Sequence, residues 1–261
     1  MCLARGRATG LARPARPGRC LQGPERAALV RIGVVVGHGG LTLLFDEHPQ
    51  RLAIALPPSV SRTLTGPLVK AFREQLPRAT WSVVEGLSTY ALEWLAIGRV
   101  DCAVVYNVVP SPAIDLQPLL DEPLFLVSAR SGRSAGKPRI GRMVSLREVA
   151  ECELVIPSRP HSMRMLLEAA LANEGCRAKV ALEIESIPAI LDLVQQGPAH
   201  AVLAENAIRT SGHAEAFHLR PIGPPPLVAT LWMATSAQRP RGPLIDQSTQ
   251  LVAGLLQRLW A

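Results

Sequence analysis

The sequence predicts an α/β protein in which buried strands alternate with amphipathic helices. The first observation is the stretch Leu52–Phe72, where a continuous apolar run is followed by two prolines and then by apolar residues at helical spacing. The second is that the same order of strand, turn and helix recurs in both halves of the chain. Because strands separated by helices pair mainly in parallel and are covered on both faces, we expect two α/β lobes around a cleft.

The stretch Leu52–Phe72 contains the clearest single unit. Its apolar run is typical of a strand buried on both faces, and the prolines after it cannot donate to a sheet ladder. Pro67 is compatible with the following helix if it lies in the first turn. Ser59 and Ser61 lie where this helix begins, so they either cap it or contribute, with free backbone N–H groups, to a small anion site. Capping is the simpler interpretation of these two residues alone.

Further strands and helices follow at regular intervals. In the first half we predict the strands Thr80–Val84, Val100–Tyr106 and Leu124–Val127, a helix that ends at Gly98, and a loop with Pro110, Pro112 and Pro118. In the second half we predict the strands Glu153–Ile156, Val180–Ile184, Ala201–Leu203 and Leu227–Ala234, and helices over residues 163–171, Pro188–Gln196 and Leu244–Trp260. The loop Ser131–Gly141 between the halves is a candidate lobe boundary.

Positive charge is concentrated at the N-terminus. The chain has a formal net charge of +7, and seven arginines fall within its first 31 residues, among four glycines and three prolines. This composition predicts a disordered or poorly packed extension over residues 1–50; a basic tail that contacts nucleic acid or anionic lipid is the less favoured alternative. Within it, Ile32–Phe45 fits a short hairpin or loose extension better than a dinucleotide-binding loop, because Thr42 replaces the third glycine of that fingerprint.

Several classes of protein are disfavoured by what the sequence lacks. The five cysteines are odd in number and have no paired spacing, which favours a reducing compartment over a disulfide framework. The sequence has no metal-ligand spacing among its six histidines, no secretory signal, no apolar run of membrane-spanning length and no nucleophile–base pair. We therefore expect neither a membrane protein nor an enzyme, and no cofactor or metal.

The order of several short motifs resembles one known family. After Leu52–Phe72 come Glu85-Gly86-Leu87-Ser88, Gly98-Arg99-Val100-Asp101, Pro157-Ser158-Arg159-Pro160 and Ser186-Ile187-Pro188-Ala189-Ile190. Over about residues 51–261 this order resembles the effector-binding domain of LysR-type transcriptional regulators, most of all the branch that includes nitrogen-assimilation regulators. The resemblance implies two Rossmann-like lobes of the periplasmic-binding-protein type II kind. Lobe I would cover about 51–128 and 229–261, and lobe II about 129–228.

The resemblance also implies which residues contact a small-molecule effector between the lobes. The implied contacts are Ser59, Ser88, Thr89, Ser158, Arg159, His161 and Ser162. Hydroxyls, backbone N–H groups and one guanidinium suit a carboxylate or another small anionic metabolite. For Ser88 and Ser162 plain helix capping is an equal alternative. For Arg159 a surface ion pair, and for His161 a solvated loop position, are slightly favoured.

Assembly and DNA binding follow from the same resemblance. In the family, effector domains pair antiparallel through the first helix and the second strand, within a DNA-bound tetramer. Here this implies a homodimer or tetramer whose interface contains Val69, Phe72, Arg73, Trp81 and Val83; the alternative is that the apolar members face the core. Residues 1–50 do not resemble the family's helix-turn-helix and linker helix. We therefore expect DNA binding only through a reader missing from this chain, as a frameshift, a misplaced start or a real domain loss would produce.

Three functions from different classes remain open. The resemblance favours a cytoplasmic sensory domain of a transcriptional regulator that lacks its own DNA reader. A stand-alone solute-binding protein needs an export signal, and an enzyme on the same fold needs convergent acid–base residues; the sequence offers neither. We therefore expect the regulatory domain.

Overall fold

The chain divides into two compact units, Met1–Asp46 and Glu47–Ala261. The computed structural model describes residues 32–37, 40–45, 51–130 and 137–260. In the first unit, strands β1 (Ile32–Gly37) and β2 (Gly40–Phe45) pair antiparallel, with Gly37 opposite Gly40. This pairing is the hairpin expected over Ile32–Phe45. The rest of the predicted N-terminal extension lies outside the described residues.

The second unit begins with two strand–helix–strand units. Strand β3 (Arg51–Leu56) leads through helix α1 (Pro58–Gln75) to strand β4 (Thr80–Glu85), and β4 leads through helix α2 (Ser88–Ala96) to strand β5 (Cys102–Tyr106). Strand β3 pairs in parallel with both β4 and β5. Both β3 and β5 are buried almost throughout, which explains why they are continuous apolar runs in the sequence.

The remaining elements complete the α/β arrangement. In chain order they are β6 (Ile114–Ala129), β7 (Arg139–Ile140), α3 (Leu146–Ala150), β8 (Glu153–Ile156), α4 (Ser162–Asn173), β9 (Lys179–Glu183), α5 (Ile187–Gln196), β10 (Ala201–Ala204), α6 (Glu205–Arg209), β11 (Phe217–Pro221), β12 (Val228–Ser236) and α7 (Pro243–Trp260). Strands β8 and β9 pair in parallel, and a single bridge from Leu154 to His200 connects β8 with the residue before β10.

Strand β6 joins the two lobes. Its first half pairs antiparallel with β12, and its second half pairs antiparallel with β10 and β11. Because β12 also pairs antiparallel with β5, the sheet is mixed, and the expectation of a mainly parallel sheet is wrong at these strands. The fold class is as predicted, an α/β protein with two lobes. The residue limits predicted for each lobe stay a prediction.

Two prolines lie in positions that the sequence did not indicate. Pro118 lies within β6, not in a loop, next to a register shift that leaves Leu119 without a partner in β12. A bulge tolerates a residue without an N–H donor. Pro67 lies in the interior of α1, not in its first turn. Helix α1 is stabilised by the packing of its buried face, where apolar residues recur every four positions: Val60, Leu64, Leu68 and Phe72.

None of the helices within residues 51–130 and 137–260 is both long enough and apolar enough to cross a membrane.

Candidate functional site

A cavity of about 350 Å³ lies at the carboxyl ends of β3, β4 and β5. Its lining includes residues from the first turns of four helices: Ser59 of α1, Ser88 of α2, Ser162 of α4 and Ile187 of α5. Each helix has backbone N–H groups without intrahelical partners at its start, and the positive end of its dipole lies there. The cavity can therefore hold an anionic group.

The structure brings some of the predicted contact residues together and not others. The members that line the cavity are Ser59, Ser88, His161 and Ser162. The members that do not line it are Thr89, Ser158 and Arg159. The guanidinium of Arg159 pairs instead with Glu168, with 2.9 Å between Nη2 and Oε2, and the Arg159 side chain is 65% exposed. Contact with an effector stays a prediction for all seven residues.

Helix capping does not account for Ser59, Ser88 and Ser162, whereas Ser186, which also lines the cavity, caps α5. The N-cap of α1 is Pro57 and that of α2 is Leu87, and neither makes a side-chain cap bond. Helix α4 is capped by His161, whose Nδ1 accepts a hydrogen bond from the N–H of Met163 at 3.3 Å. Burial lowers the pKa of His161 to about 4, so its imidazole is neutral at neutral pH. His161 is therefore a capping residue as well as part of the lining.

A buried chain of hydrogen bonds forms the floor of the cavity. The Tyr106 hydroxyl donates to Oε2 of Glu122 at 2.5 Å, and the indole N–H of Trp260 donates to Oε1. Burial raises the pKa of Tyr106, and the nearby Ser59 side chain opposes this rise. Burial raises the pKa of Glu122, while the hydrogen bonds from Tyr106 and Trp260 oppose this rise. Ser88 holds the same region in place, because its hydroxyl oxygen accepts a hydrogen bond from the backbone N–H of Tyr106 at 2.9 Å.

Asn206 connects the two sides of the cavity. It belongs to α6, and its side-chain N–H donates to the carbonyl oxygen of Ser59 at 3.2 Å. Its side-chain oxygen accepts from the Thr63 hydroxyl at 3.1 Å. Asn206 is 3% exposed, and both of its bonds are partly buried. They are therefore well placed to hold α1 and α6 in one relative position.

Arg164 supports the turn before α4. It is 7% exposed, although the sequence shows it only as a charge on a helix. Its guanidinium contacts Glu168 and Glu183, each at 2.9 Å, and donates to the carbonyl oxygen of Pro157 at 3.1 Å. These contacts hold α4, the end of β9 and the turn together, which fixes where His161 and Ser162 lie.

Sequence reasoning missed Glu122, Asn206 and Arg164. For Glu122 a signal existed, since this acid stands two residues before the predicted strand Leu124–Val127. For Arg164 the weak signal was Glu168, four residues later on the same helix. For Asn206 we find no signal, because α6 has five residues, too few to show a helical period.

The fold and the cavity define a two-lobed domain with a cavity of small-molecule size between its lobes. Residues 46–257, which make up most of the chain, match the family described as the LysR substrate binding domain. The chain belongs to this family, and the predicted resemblance is confirmed.

Curated relatives support the predicted branch. The chain is similar to the nitrogen assimilation regulatory protein Nac of Klebsiella aerogenes, with 29% identity over 209 residues that cover 80% of this chain and 66% of that protein. It is 30% identical over 154 residues to Nac of Escherichia coli K12, covering 59% of this chain and 48% of that protein. The chain thus spans about half to two thirds of the length of these relatives. Both are named as regulatory proteins, in agreement with the expectation that the chain is not an enzyme.

Solved structures show the same fold. The effector binding domain of QuiR in complex with shikimate has a TM-score of 0.67 and 17% identity, and the match covers 81% of this chain and 99% of that one. The regulatory domain of Synechocystis PCC6803 CcmR in complex with 2-PG also has a TM-score of 0.67 and 17% identity, covering 79% and 97%. At these identities the likeness concerns the fold alone.

Proposed function

We propose that this chain is the effector-sensing domain of a LysR-type transcriptional regulator that acts in the cytoplasm. In this proposal a small metabolite with an anionic group binds in the cavity between the lobes. The observation that carries it is the convergence of four helix N-termini, with Ser59, Ser88 and Ser162, on one cavity. The complexes of the QuiR domain with shikimate and of the CcmR domain with 2-PG support the same type of site.

The lining residues take different parts in this proposal. Ser59 and Ser162 offer hydroxyls to the effector, while Ser88 acts chiefly by holding the backbone of Tyr106 in place. Arg62 is the guanidinium among the described lining residues and takes the part that the sequence assigned to Arg159. An exposed guanidinium that lines the cavity can pair with an anionic group that enters it.

The proposal is tested by a panel of small anionic metabolites, read by thermal shift of the full chain. A ligand at 100 times its dissociation constant adds about 2.7 kcal/mol to the free energy of unfolding, which is easily measured. Ser59→Ala and Ser162→Ala should weaken the binding of any hit, whereas Ser158→Ala, outside the cavity, serves as the matched control. Equal affinities for all three variants and the unaltered chain would show that the site is misassigned.

We further propose that two chains pair through α1 and β4. Strand β4 is an edge strand of the sheet and is only partly buried. Phe72 is fully buried and stacks on Trp81, with 4.8 Å between ring centroids, so it supports the interface from within one chain. The remaining members, Val69, Arg73 and Val83, are partly or fully exposed and would form the contact surface. Operator binding is assigned to the family's helix-turn-helix and not to residues 51–260.

A further inference from the structure

The charge of the cavity lining does not suit a ligand that is anionic throughout. Among the described residues that line it, Glu85, Glu122 and Glu185 are carboxylates, and Arg62 is the guanidinium. His161 adds no charge at neutral pH, because burial lowers its pKa to about 4. The same cavity therefore combines four helix N-termini, which favour an anion, with an excess of carboxylates, which repels one.

Two of these carboxylates belong to different lobes. Glu85 is the last residue of β4, and Glu185 lies between β9 and α5. The Glu85 Oε1 atom accepts a hydrogen bond from the Ser61 hydroxyl at 2.7 Å. This bond fixes the Glu85 side chain, which lines the cavity. Glu185 makes no ion pair with any other residue that the structure describes. A cation between them would compensate charge on both sides of the cavity.

From these observations we infer that the effector is an amine-bearing acid of the α-amino acid type. Its anionic group faces the helix N-termini, and its protonated amine faces the acceptor face, which consists of Glu85 and Glu185. An ammonium group supplies both the positive charge and the donors that this face requires. The inference rests on the proposed function, because it assigns a ligand class to the same cavity.

Matched pairs of ligands test the charge directly. We would titrate the full chain, by calorimetry, with α-amino acids and with the 2-hydroxy acid that shares each carbon skeleton. Each pair keeps the carboxylate and one hydrogen-bond donor and differs in the positive charge. We expect at least one amino acid to bind at least about tenfold more tightly than its hydroxy acid, the factor of one charge-assisted contact.

Glu185→Gln tests the acceptor face without changing its shape. We expect this variant to bind the amino acid about tenfold more weakly and to bind the hydroxy acid no more weakly than the unaltered chain. This difference between two ligands on one variant separates a charge effect from a folding defect, which would weaken both. Glu93→Gln, on an exposed position of α2 outside the cavity, is the matched control and should change neither affinity.

The possible results separate the two proposals. If hydroxy acids or other amine-free anions bind as tightly as amino acids, this inference is overturned and the proposed function stands. If Glu185→Gln weakens both ligands of a pair equally, the assignment of the acceptor face is overturned. If no member of either panel binds, both the inference and the proposed function are overturned.

Discussion

Ser88 belongs to the scaffold of the cavity as much as to its lining. Its hydroxyl accepts the backbone N–H of Tyr106 at 2.9 Å, at a position that is 7% exposed. Ser88→Ala leaves this buried N–H without a partner, so we expect the free energy of unfolding to fall by about 1–3 kcal/mol. Urea denaturation measures the change. Thr89→Ala, at the exposed neighbouring position, should change it by less than about 0.5 kcal/mol, and equal losses for the two variants would contradict this role for Ser88.

His161 makes the stability of the domain depend on pH. Burial lowers its pKa in the folded chain to about 4, from an ordinary value of 6.5. Between these two values the unfolded chain binds a proton that the folded chain does not, so this contribution is complete above about pH 6.5 and is lost progressively towards pH 4. His161→Asn keeps a capping acceptor without a titrating ring and should flatten this dependence. Denaturation curves across this range would disprove the assignment if the difference between variant and unaltered chain did not change with pH.

Arg159 and Arg164 show what the sequence can and cannot predict about single residues. The turn that contains Arg159 was located correctly, because prolines mark it and an apolar helical period follows. Which arginine points inward depends on Glu183, which comes from β9 and is distant in sequence. The sequence pattern therefore placed the turn but could not choose between the two guanidiniums.

At the scale of elements, α7 contains a glycine that lowers its stability without filling a structural need. A Cβ atom at Gly254 would meet no neighbouring atom within 4 Å, and the backbone there is helical. Gly254→Ala should therefore raise the free energy of unfolding by about 0.5–1 kcal/mol. Gly98 is the contrasting control: its φ is +76° and a Cβ would lie 3.0 Å from the Arg239 side chain, so Gly98→Ala should destabilise. Thermal or urea denaturation in which both variants shift in the same direction would contradict this.

Helix α4 depends on the buried Arg164 for its position. Arg164→Leu removes both ion pairs and leaves the carbonyl oxygen of Pro157 without this donor. The two carboxylates keep partial contact with water, so we expect a loss of about 3 kcal/mol, the lower end for breaking a buried pair. Arg159→Leu is the control, since the Arg159 side chain is 65% exposed and its pair should contribute less than about 1 kcal/mol. Similar losses in both variants, measured by urea denaturation, would argue against this support of the turn.

The elements that the sequence predicted are those whose burial is periodic. Strands β3 and β5 and helices α1 and α7 were predicted because each buries a continuous run or one helical face. Helix α6 was missed because it has five residues, and the first half of β6 was interpreted as a loop because of its prolines. These missed segments carry Asn206 and Glu122. Much of the candidate site therefore lies in segments whose conformation is set by their partners and not by local pattern.

At the scale of the whole molecule, the cavity depends on contacts between the lobes. Asn206 bonds to Ser59 and Thr63, and the guanidinium of Arg209 donates to the carbonyl oxygen of Leu259 at 2.9 Å. The residues in these contacts lie 143, 147 and 50 positions apart, so the pattern within a window of sequence does not reveal them. The resemblance to a family could predict that a cavity exists, because the order of elements determines the fold. It could not predict the acceptor face, which depends on individual side chains.

The surface of α1 and β4 leads to a prediction about assembly. Strand β4 lies at the edge of the sheet, where unpaired backbone groups and partly exposed side chains can contact a second chain. We expect a dimer by light scattering at tens of micromolar. Val69→Glu combined with Arg73→Glu places acidic charge on both copies of a self-complementary interface, so the repulsion is doubled by the symmetry and the variant should be monomeric.

A control variant separates this interface from a general effect of charge. Arg177→Glu changes the charge of an exposed residue between α4 and β9, away from α1 and β4, and should leave the dimer intact. The double variant should retain its unfolding midpoint within a few degrees, because neither Val69 nor Arg73 belongs to the buried face of α1. An unaltered chain that is monomeric at tens of micromolar would reject the interface. A double variant that remains dimeric while folded would show that the chains pair through another surface.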